Sequence, residues 1–505
     1  MSTEYDYIVV GAGSAGCAVA RRLSDLGAGR VLLLEAGVEN THPGIPDPTA
    51  WPSLWGTEVD WAYRTVAQDG TAQRVHDWPR GKVLGGTSCL NAMQFIRGHR
   101  SDFDGWAKQG NAGWDYDSVL PLMKEIEDFE GGADEYHGAG GPMHVATLRD
   151  KSANPVSEAF VEACVQTGYP TNDDLNGAVL EGAGWNPTNI KGGVRQDTWN
   201  ALVAPVLDRG DITVRTGAHV RRLLIEGGRC TGVELLDGEQ IRVTGEVIVS
   251  SGALESPRLL MLSGIGAAAE LAEIGVDTVV DLPGVGKNLH DHLLLGVVYE
   301  SKQPIPVGAN NLSESVMFLR SDPALDGADI QLAAIHVPFH SAEFSAPANS
   351  YTIAPGIAQP KSRGTVRLTS SDPEAPLLVD PNYLGEDEDV AGLIKGIELT
   401  RAIGEAPAFD EWRLREVLPG PEVTTEAALR EFVAKAASTY YHPVGTCAMG
   451  QGDDSVVDER LRVRGVTGLR VADASIMPTI VKTNPNNTIV TIGYKCADMV
   501  VQDAR

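Results

Sequence analysis

A histidine near the carboxyl end stands in a setting that could make it a proton acceptor. His442 lies in the stretch STYYHPVGTCAMG, residues 438–450, between Tyr441 and Pro443. An unperturbed imidazole titrates close to neutral pH, so it can take a proton from a substrate hydroxyl as a general base. The alternative is a buried structural histidine, and this stretch alone does not separate the two.

The first forty residues contain a nucleotide-binding pattern. The run YDYIVV, residues 5–10, predicts a buried parallel strand, and GAGSAG and an apolar-periodic helix follow it directly. Gly11 allows the tight turn, Gly13 lets the backbone approach a pyrophosphate at the helix N-terminus, and Gly16 lets the helix pack closely on the strand. A second predicted strand, RVLLLEAG, ends in Glu35, whose carboxylate suits a ribose diol. The pattern predicts a dinucleotide site, for FAD or NAD, that also includes Ser14, Ala15 and Ala36.

The composition is that of an acidic protein with enough apolar residues for a sizeable core. Its 505 residues are 43% hydrophobic and include 41 Lys and Arg against 68 Asp and Glu, a formal net charge of −27. Such a charge repels nucleic acid and anionic membranes, so neither is expected as a partner. No run of eighteen apolar residues is present, and the N-terminus enters a strand too soon for a signal peptide. We therefore expect a cytoplasmic protein without a membrane span.

Neither the cysteines nor the histidines are spaced as metal ligands usually are. The six cysteines show no C-x-x-C spacing, which favours buried small side chains in a reducing compartment. His290 and His292, in NLHDH, could imitate a metal pair, but no metal is expected there.

Three further segments resemble the signatures of one enzyme family. They are WPRGKVLGGTSCLN at 78–91, SSGALESPRLLMLSGIG at 250–266, and a C-terminal segment at 468–500 that begins GLRVADASIMP. With the N-terminal motif, and in this order, they resemble the glucose–methanol–choline (GMC) oxidoreductases over essentially the whole chain. Finer similarity, in YYHPVGT and SRGTVRL, is to the choline-oxidising and bacterial alcohol-oxidising members of that family.

The resemblance implies an α/β (α+β) fold, with a Rossmann-like FAD-binding domain and an interleaved substrate domain built on an antiparallel sheet flanked by helices. The residues support this, since 212–249 predicts repeated short strands with glycine turns that complete the FAD domain. The runs DIQLAAIHVPF and GTVRLTS, within 295–380, suit strands of the second sheet. The expected segments are 1–150, 201–292 and 438–505 for FAD binding, and 151–200 and 293–437 for the substrate domain.

The resemblance also implies how FAD is held. The GGTS run would let backbone approach the flavin and the diphosphate, Asn91 would contact the isoalloxazine ring, and Val220 would hold adenine through its backbone. Asp473 and Ala474 would face the pyrophosphate and the ribityl chain, and Thr488 would cap the last helix. The residues implied in FAD binding are Arg80, Val83, Gly85, Gly86, Thr87, Ser88, Asn91, Val220, Asp473, Ala474, Pro485, Asn486 and Thr488.

One departure from the family pattern concerns the flavin linkage. The choline-oxidising members have a flavin-linking histidine two positions after the serine of this motif, where this chain has Leu90. FAD is therefore expected to bind non-covalently. Cys89 stands beside that position, but no thioether to the flavin is expected.

His442 occupies the position of the family's general base, which favours catalysis over the structural alternative. Its usual partner, a His or Asn, stands eleven residues before the basic residue of the last helix, and counting back from Lys495 gives Asn484. A neutral asparagine can donate to the alcohol oxygen, which leaves His442 as the only base. The expected reaction removes the hydroxyl proton and transfers a hydride from the same carbon to flavin N5, giving an aldehyde. Asn486 and Asn487 are close rivals of Asn484.

The predicted substrate wall is apolar and aromatic. Where the choline-oxidising members have a carboxylate, this chain has only the leucines 293–295, and Ala333 replaces a histidine. Burying a quaternary ammonium without a counter-charge is costly, so choline is disfavoured. The expected substrate is an uncharged primary alcohol with an aromatic, furanic or medium-chain aliphatic body. The predicted wall residues are Trp51, Leu294, Ala333, Phe339, Tyr440 and Tyr441.

Several functions stay open from the sequence. The expected electron acceptor is O2, giving hydrogen peroxide, but a dehydrogenase that passes electrons to a quinone or another acceptor has the same half-reaction. A hydroxynitrile lyase on the same fold, or a non-catalytic FAD-binding protein, would belong to other classes. The expected assembly is a monomer or a homodimer.

Overall fold

Two large sheets organise the chain in the computed structural model, which describes residues 4–148 and 153–504. One sheet has seven strands and the other has eight. The expected boundary between residues 150 and 151 lies outside the described residues, and the other segment boundaries stay a prediction. The strands of the two sheets are β1 (Tyr5–Val10), β2 (Val31–Leu34), β3 (Gly182–Trp185), β4 (Ile212–Arg215), β5 (Val220–Glu226), β6 (Arg229–Leu235), β7 (Gln240–Val249), β8 (Leu293–Leu294), β9 (Val297–Ser301), β10 (Ser315–Leu319), β11 (Ile330–Ile335), β12 (Ser350–Ile357), β13 (Arg413–Leu418), β14 (Ser438–Thr439) and β15 (Leu469–Val471).

The seven-stranded sheet has the predicted Rossmann-like arrangement. β1 pairs in parallel with β2 on one side and with β7 on the other, and β4 and β15 extend the parallel part. Residues 7–10 of β1 and all of β2 form uninterrupted apolar runs, as is typical of a parallel sheet with both faces covered. The repeated strands predicted for 212–249 are β4 to β7, of which β5 and β6 pair antiparallel.

Helix α1 follows β1 through the predicted glycine turn. Gly11 has φ +98°, and a Cβ at Gly16 would lie 1.8 Å from the carbonyl oxygen of Gly11, so the turn requires both glycines. Among the described helices, none combines the length and the apolarity needed to cross a bilayer. The helices are α1 (Ser14–Asp25), α2 (Arg100–Lys108), α3 (Tyr116–Ile126), α4 (Pro155–Gln166), α5 (Gly252–Leu262), α6 (Ala268–Glu273), α7 (Asp387–Gly404), α8 (Glu426–Ala436) and α9 (Asn486–Asp503).

The eight-stranded sheet is antiparallel throughout, as expected for the substrate domain. Its order is β13-β9-β12-β11-β10-β3, and the short strand β8 pairs with both β12 and β14. The run DIQLAAIHVPF supplies β11. The placement of GTVRLTS in this sheet was wrong, because Thr365–Arg367 pairs only with Leu378–Asp380 in a separate two-stranded sheet. Gly364 bridges to Leu289 instead, which fastens this segment to the loop before β8.

The packing of α1 on α9 generates a prediction about Gly493. A Cβ at this position would lie 2.6 Å from the carbonyl oxygen of Ala15 and 2.6 Å from the Cβ of Ala18. Gly493→Ala should therefore lower the free energy of unfolding by about 1–3 kcal/mol, measured by chemical denaturation. Gly105→Ala, at an open position of α2, is the matched control and should raise it by roughly 0.4–1 kcal/mol. Equal effects of the two substitutions would contradict the close approach of the helices.

Candidate active site

A long cavity is lined by residues of both large sheets and of the loops between them. Gly16, Val83, Gly85, Ser88 and Thr488 do not line it and are buried in the surrounding structure. The predicted residues that do line it are Gly11, Gly13, Ser14, Ala15, Glu35, Ala36, Trp51, Arg80, Gly86, Thr87, Asn91, Val220, Leu294, Ala333, Phe339, Tyr440, Tyr441, His442, Asp473, Ala474, Asn484, Pro485 and Asn486.

Two helix N-termini without side-chain caps meet at this cavity. Helix α1 begins after Gly13 and α9 after Pro485, and neither N-cap residue supplies a capping hydrogen bond. The hydroxyl of Ser14 donates to Oδ1 of Asn486 at 2.7 Å, so the two first turns are joined. First-turn N–H groups lack intrahelical acceptors and carry partial positive charge, so this part of the cavity favours an anionic group.

Glu35 places a buried carboxyl group in the cavity wall at the end of β2. Its two oxygens accept the backbone N–H groups of Ala12 and Gly37 at 2.9 and 2.8 Å. Burial nevertheless raises the pKa of Glu35 to about 7. Because each carboxylate oxygen has a further lone pair, Glu35 keeps the capacity to accept from a pair of hydroxyl groups.

The second glycine-rich loop is held by a buried arginine that the sequence did not indicate. Nη1 of Arg195 donates to the carbonyl oxygens of Ser88 and Asn91 at 3.0 and 2.7 Å, and Nε donates to Ile45 at 2.8 Å. Burial lowers the pKa of Arg195 to about 10. The guanidinium therefore fixes the backbone of residues 88–91, two of whose members, Leu90 and Asn91, line the cavity.

The backbone around His442 is held in a strained conformation. Tyr441 has φ +66°, a left-handed value that is uncommon for a bulky residue. The carbonyl of Tyr441 accepts from Arg80 at 2.6 Å, and the backbone N–H of His442 donates to Asp291 at 2.6 Å. The other carboxylate oxygen of Asp291 accepts from the hydroxyl of Thr439 at 2.5 Å. These contacts aim the His442 ring into the cavity.

A hydrogen-bonded relay sets the proton positions on His442. Nε2 of His292 lies 3.0 Å from the carbonyl oxygen of Ala358, which can only accept, so this nitrogen carries the proton. Burial lowers the pKa of His292 to about 4 and the pKa of His442 well below its ordinary value, so both rings are neutral near pH 7. Nδ1 of His292 is then an acceptor, and it lies 2.9 Å from Nδ1 of His442. His442 therefore donates from Nδ1 and presents an unprotonated Nε2.

Asn484 lies beside that unprotonated nitrogen. Its Oδ1 faces Nε2 of Gln331 at 3.4 Å, and its Nδ2 faces Nε2 of His442 at 3.4 Å. The amide orientation therefore directs N–H groups toward His442. The pair offers one hydrogen-bond donor and one proton acceptor on the same stretch of cavity wall, which is the arrangement that a hydroxyl group needs.

The wall around this pair is apolar and aromatic, as the sequence predicts. Leu294, Ala333 and Ala354 form a buried cluster against which Phe339 and Tyr440 pack. The Tyr440 ring stacks on His442 with its centroid at 4.7 Å. On the other side Trp51, Trp55 and Tyr441 form a chain of ring contacts, with centroids 5.2 and 4.8 Å apart.

Comparison with known proteins identifies the family. The family model described as GMC oxidoreductase matches the chain in an N-terminal part, residues 5–294, and a C-terminal part, residues 360–493. The chain belongs to the GMC oxidoreductase family. GMC oxidoreductases bind FAD, and this chain is an FAD-dependent oxidoreductase.

Curated relatives and solved structures agree with this assignment. An alcohol dehydrogenase [acceptor] of Pseudomonas putida is 39% identical over 99% of this chain and 96% of its own length. An oxygen-dependent choline dehydrogenase of Brucella suis is 38% identical over the same shares. The crystal structure of pyridoxine 4-oxidase from Mesorbium loti is 39% identical, with a TM-score of 0.94 and 98% of each chain covered.

The wall of the cavity has groups that fit the parts of FAD. The first turns of α1 and α9 suit the pyrophosphate and a negatively polarised ring edge, and Glu35 suits a ribose diol. Gly86 approaches Gly13 so closely that a Cβ on Gly86 would lie 2.6 Å from the Cα of Gly13, which joins the two glycine-rich loops beneath the cavity. At the position of the family's linking histidine, the aliphatic side chain of Leu90 lines the cavity.

One of the predicted cofactor roles needs correction. Thr488 does not cap α9, because the helix begins at Asn486 and its N-cap residue is Pro485. Asp473 lines the cavity, and its predicted role toward the cofactor stays a prediction. Its carboxylate accepts from protein donors, with Gly252 N at 2.8 Å and Ser256 Oγ at 2.5 Å among them. Asp473 therefore ties the start of α5 to the segment after β15.

The histidines of NLHDH have separate roles. Nδ1 of His290 lies 2.6 Å from the carbonyl oxygen of Asn288, and its Nε2 accepts from the backbone of Ile480 at 2.9 Å, so both nitrogens bind backbone. His292 instead contacts His442. Nothing in the spacing of NLHDH predicts this contact.

The relay predicts one tautomer of His442 that nitrogen NMR can detect. With 15N-labelled histidine, we expect an N–H resonance for Nδ1 and a bare-nitrogen resonance for Nε2. Because the pKa of His442 lies below its ordinary value, this pattern should persist as the pH falls from 8 to about 6. His442→Gln assigns the signals by removing them, and His292→Leu should release the tautomer preference. A bare Nδ1 in the parent protein would contradict the relay.

Proposed function

We propose that this chain oxidises an uncharged primary alcohol to the aldehyde, with His442 as general base and Asn484 as hydrogen-bond donor. The observation that carries the proposal is the 3.4 Å distance between the Asn484 amide nitrogen and Nε2 of His442, the nitrogen that the contact with His292 leaves unprotonated. The alcohol oxygen accepts from Asn484 while its proton passes to His442. FAD, when bound, supplies the acceptor for the hydride that leaves the same carbon.

The depressed pKa of His442 supports its role as a base. Burial is the main cause, and the neighbouring His292 and Arg80 also disfavour a positive charge on the ring. The neutral form, which is the form that accepts a proton, is therefore present throughout the neutral range. The stacked Tyr440 ring and the Asp291 contact to the His442 backbone hold the imidazole in one orientation, so little reorganisation precedes proton transfer.

The apolar wall supports an aromatic, furanic or medium-chain aliphatic alcohol. The acidic residues that line the cavity are Glu35, Glu255 and Asp473, and none of them belongs to the apolar cluster on which Tyr440 packs. The cluster of Leu294, Ala333 and Ala354 offers no counter-charge to a quaternary ammonium. We therefore propose that choline is a poor substrate here, although relatives of this chain are named choline dehydrogenases.

The electron acceptor and the state of the cofactor complete the proposal. We propose O2 as acceptor, giving hydrogen peroxide, in line with the name of the structural neighbour pyridoxine 4-oxidase. A dehydrogenase with another acceptor is the second candidate, because a relative bears the name alcohol dehydrogenase [acceptor]. FAD binds non-covalently in this proposal, since the side chain of Leu90 has no group that could form the family's linkage. The relatives are named for oxidations, so a hydroxynitrile lyase is not favoured.

A panel of alcohols tests the proposed reaction. Under anaerobic conditions, benzyl, furfuryl and medium-chain alcohols should bleach the flavin absorption, and choline should bleach it far more slowly. In air, oxygen consumption with matching peroxide formation identifies an oxidase, whereas turnover only with an added dye or quinone identifies a dehydrogenase. Faster bleaching by choline than by every neutral alcohol would overturn the proposed substrate class.

Substitution of the proposed base gives a second test. His442→Gln should lower the rate of anaerobic flavin bleaching by about 10²–10⁴-fold, because glutamine cannot act as a general base. In the parent protein, the acid limb of kcat/KM should lie below pH 6.5, since the pKa of His442 is lowered from that ordinary value.

Two controls accompany this variant. Acid precipitation should release the same amount of free FAD from the variant and the parent, which shows that the cofactor is loaded and unlinked. His42→Gln changes a partly exposed histidine outside the cavity wall and should keep the parent rate. A His442→Gln protein with full FAD and a near-parent rate would rule out the proposed base.

A further inference from the structure

A glutamine in the cavity wall has a buried oxygen without a partner. Gln94 is 5% exposed, it lines the cavity, and its Oε1 makes no hydrogen bond. Its Nε2 faces the hydroxyl of Ser313 at 3.4 Å. A buried carbonyl oxygen that loses water without gaining a donor is destabilising, so such an atom in a binding cavity points to a ligand group that satisfies it.

The structure around Gln94 holds this amide in place. Its backbone forms an antiparallel bridge with Thr188. The backbone of Ser313 donates to Asn311 at 3.2 Å, and Nδ2 of Asn311 donates to the carbonyl of Ala92 at 2.7 Å. Asn311 thereby links the two segments that contribute Gln94 and Ser313. The unpartnered oxygen therefore belongs to a part of the cavity wall that hydrogen bonds hold in place.

Gln94 is not hydrogen-bonded to the proposed reacting groups. Its Oε1 has no partner and its Nε2 faces Ser313, whereas His442 contacts His292 and Asn484. The indole N–H of Trp51, at the same wall, donates to the carbonyl of Asn311 at 3.0 Å. No described residue donates to Oε1 of Gln94, so a bound molecule can supply the donor.

We propose that Gln94 accepts a hydrogen bond from a hydroxyl or N–H group that the substrate carries away from the alcohol being oxidised. The preferred substrates are then compact, mainly aromatic alcohols that carry a second hydrogen-bond donor on the ring. This inference rests on the proposed alcohol oxidation and adds the polar feature that selects among its substrates. Gln94 binds the substrate and takes no part in proton or hydride transfer.

A substituted benzyl alcohol series tests the inference on the FAD-loaded protein. The hydroxybenzyl alcohols, with the hydroxyl at each ring position, are compared with the corresponding methoxy and methyl compounds. Methoxy has nearly the electronic effect of hydroxyl but no donor, and methyl matches the size. At one ring position at least, we expect kcat/KM for the hydroxy compound to exceed that of both analogues by about tenfold or more.

The variant Gln94→Met separates recognition from ring electronics. Methionine has a similar length but no oxygen, so the hydroxy-to-methoxy ratio of kcat/KM should fall to within about twofold of one. A ratio that stays high in Gln94→Met would place the recognition elsewhere and overturn the inference. A shift of the flavin absorption with an unchanged ratio would show that Gln94 contacts FAD instead, and would overturn it as well.

The same alcohol series on the parent protein also tests the inference without any variant. If methoxy compounds match or exceed hydroxy compounds at every position, the amide presents its N–H groups or a bound water, and the inference is wrong. If methyl and methoxy compounds bleach the flavin without any hydroxyl preference, the inference fails while the proposed function stands. If no member of the series bleaches the flavin, both the proposed function for aromatic alcohols and the inference fall.

Discussion

The proposed chemistry depends on keeping one buried imidazole, His442, neutral and in one tautomer. Burial keeps His442 uncharged, but burial alone leaves either ring nitrogen free to hold the proton. The carbonyl of Ala358 can only accept, so the proton of His292 is on Nε2. Nδ1 of His292 is then an acceptor, and the proton of His442 is therefore on Nδ1. A carbonyl just after the end of β12 thereby determines which lone pair faces the cavity.

The register of two very short strands makes this relay possible. β8 and β14 pair antiparallel, with Leu293 opposite Thr439 and Leu294 opposite Ser438. The pairing continues beyond the strands, since the backbone of Tyr440 donates to the carbonyl of His292 at 2.9 Å. The segments that contribute the two histidines are thus laid side by side. A slip of one residue would turn alternate side chains to the opposite face and separate the rings.

The sequence predicts the local features of the site. It does not predict contacts between residues that are far apart in the chain. The glycine turn and Glu35 lie within one β-α-β unit, where spacing along the chain determines position in space. His292 and His442 are separated by 150 positions, and no periodicity links them. The run of three leucines after the second histidine of NLHDH was a possible signal, because it predicts a buried strand that begins where His292 ends.

The errors have related causes. GTVRLTS has strand-forming residues, but propensity does not specify a pairing partner, and the backbone bridge between Gly364 and Leu289 directed it away from the second sheet. Thr488 has the side chain of a helix cap, yet α9 begins two residues earlier, so its hydroxyl is buried inside the first turn. Arg195 was not predicted because its role is to hold other residues, and a lone arginine in sequence carries no sign of such a role.

One cavity provides two electrostatic environments, and the fold explains why they do not interfere. The first turns of α1 and α9 bring partial positive charge to one part, where a phosphate and a flavin edge are expected. The part around His442 contains apolar clusters and neutral polar groups, and its nearest fixed charges, Arg80 and Asp291, bind the backbone of residues 441 and 442. These two opposite charges hold the strained loop and offset each other electrostatically. We therefore expect the proposed proton transfer to His442 to depend on the few groups in the cavity wall and not on the net charge of −27.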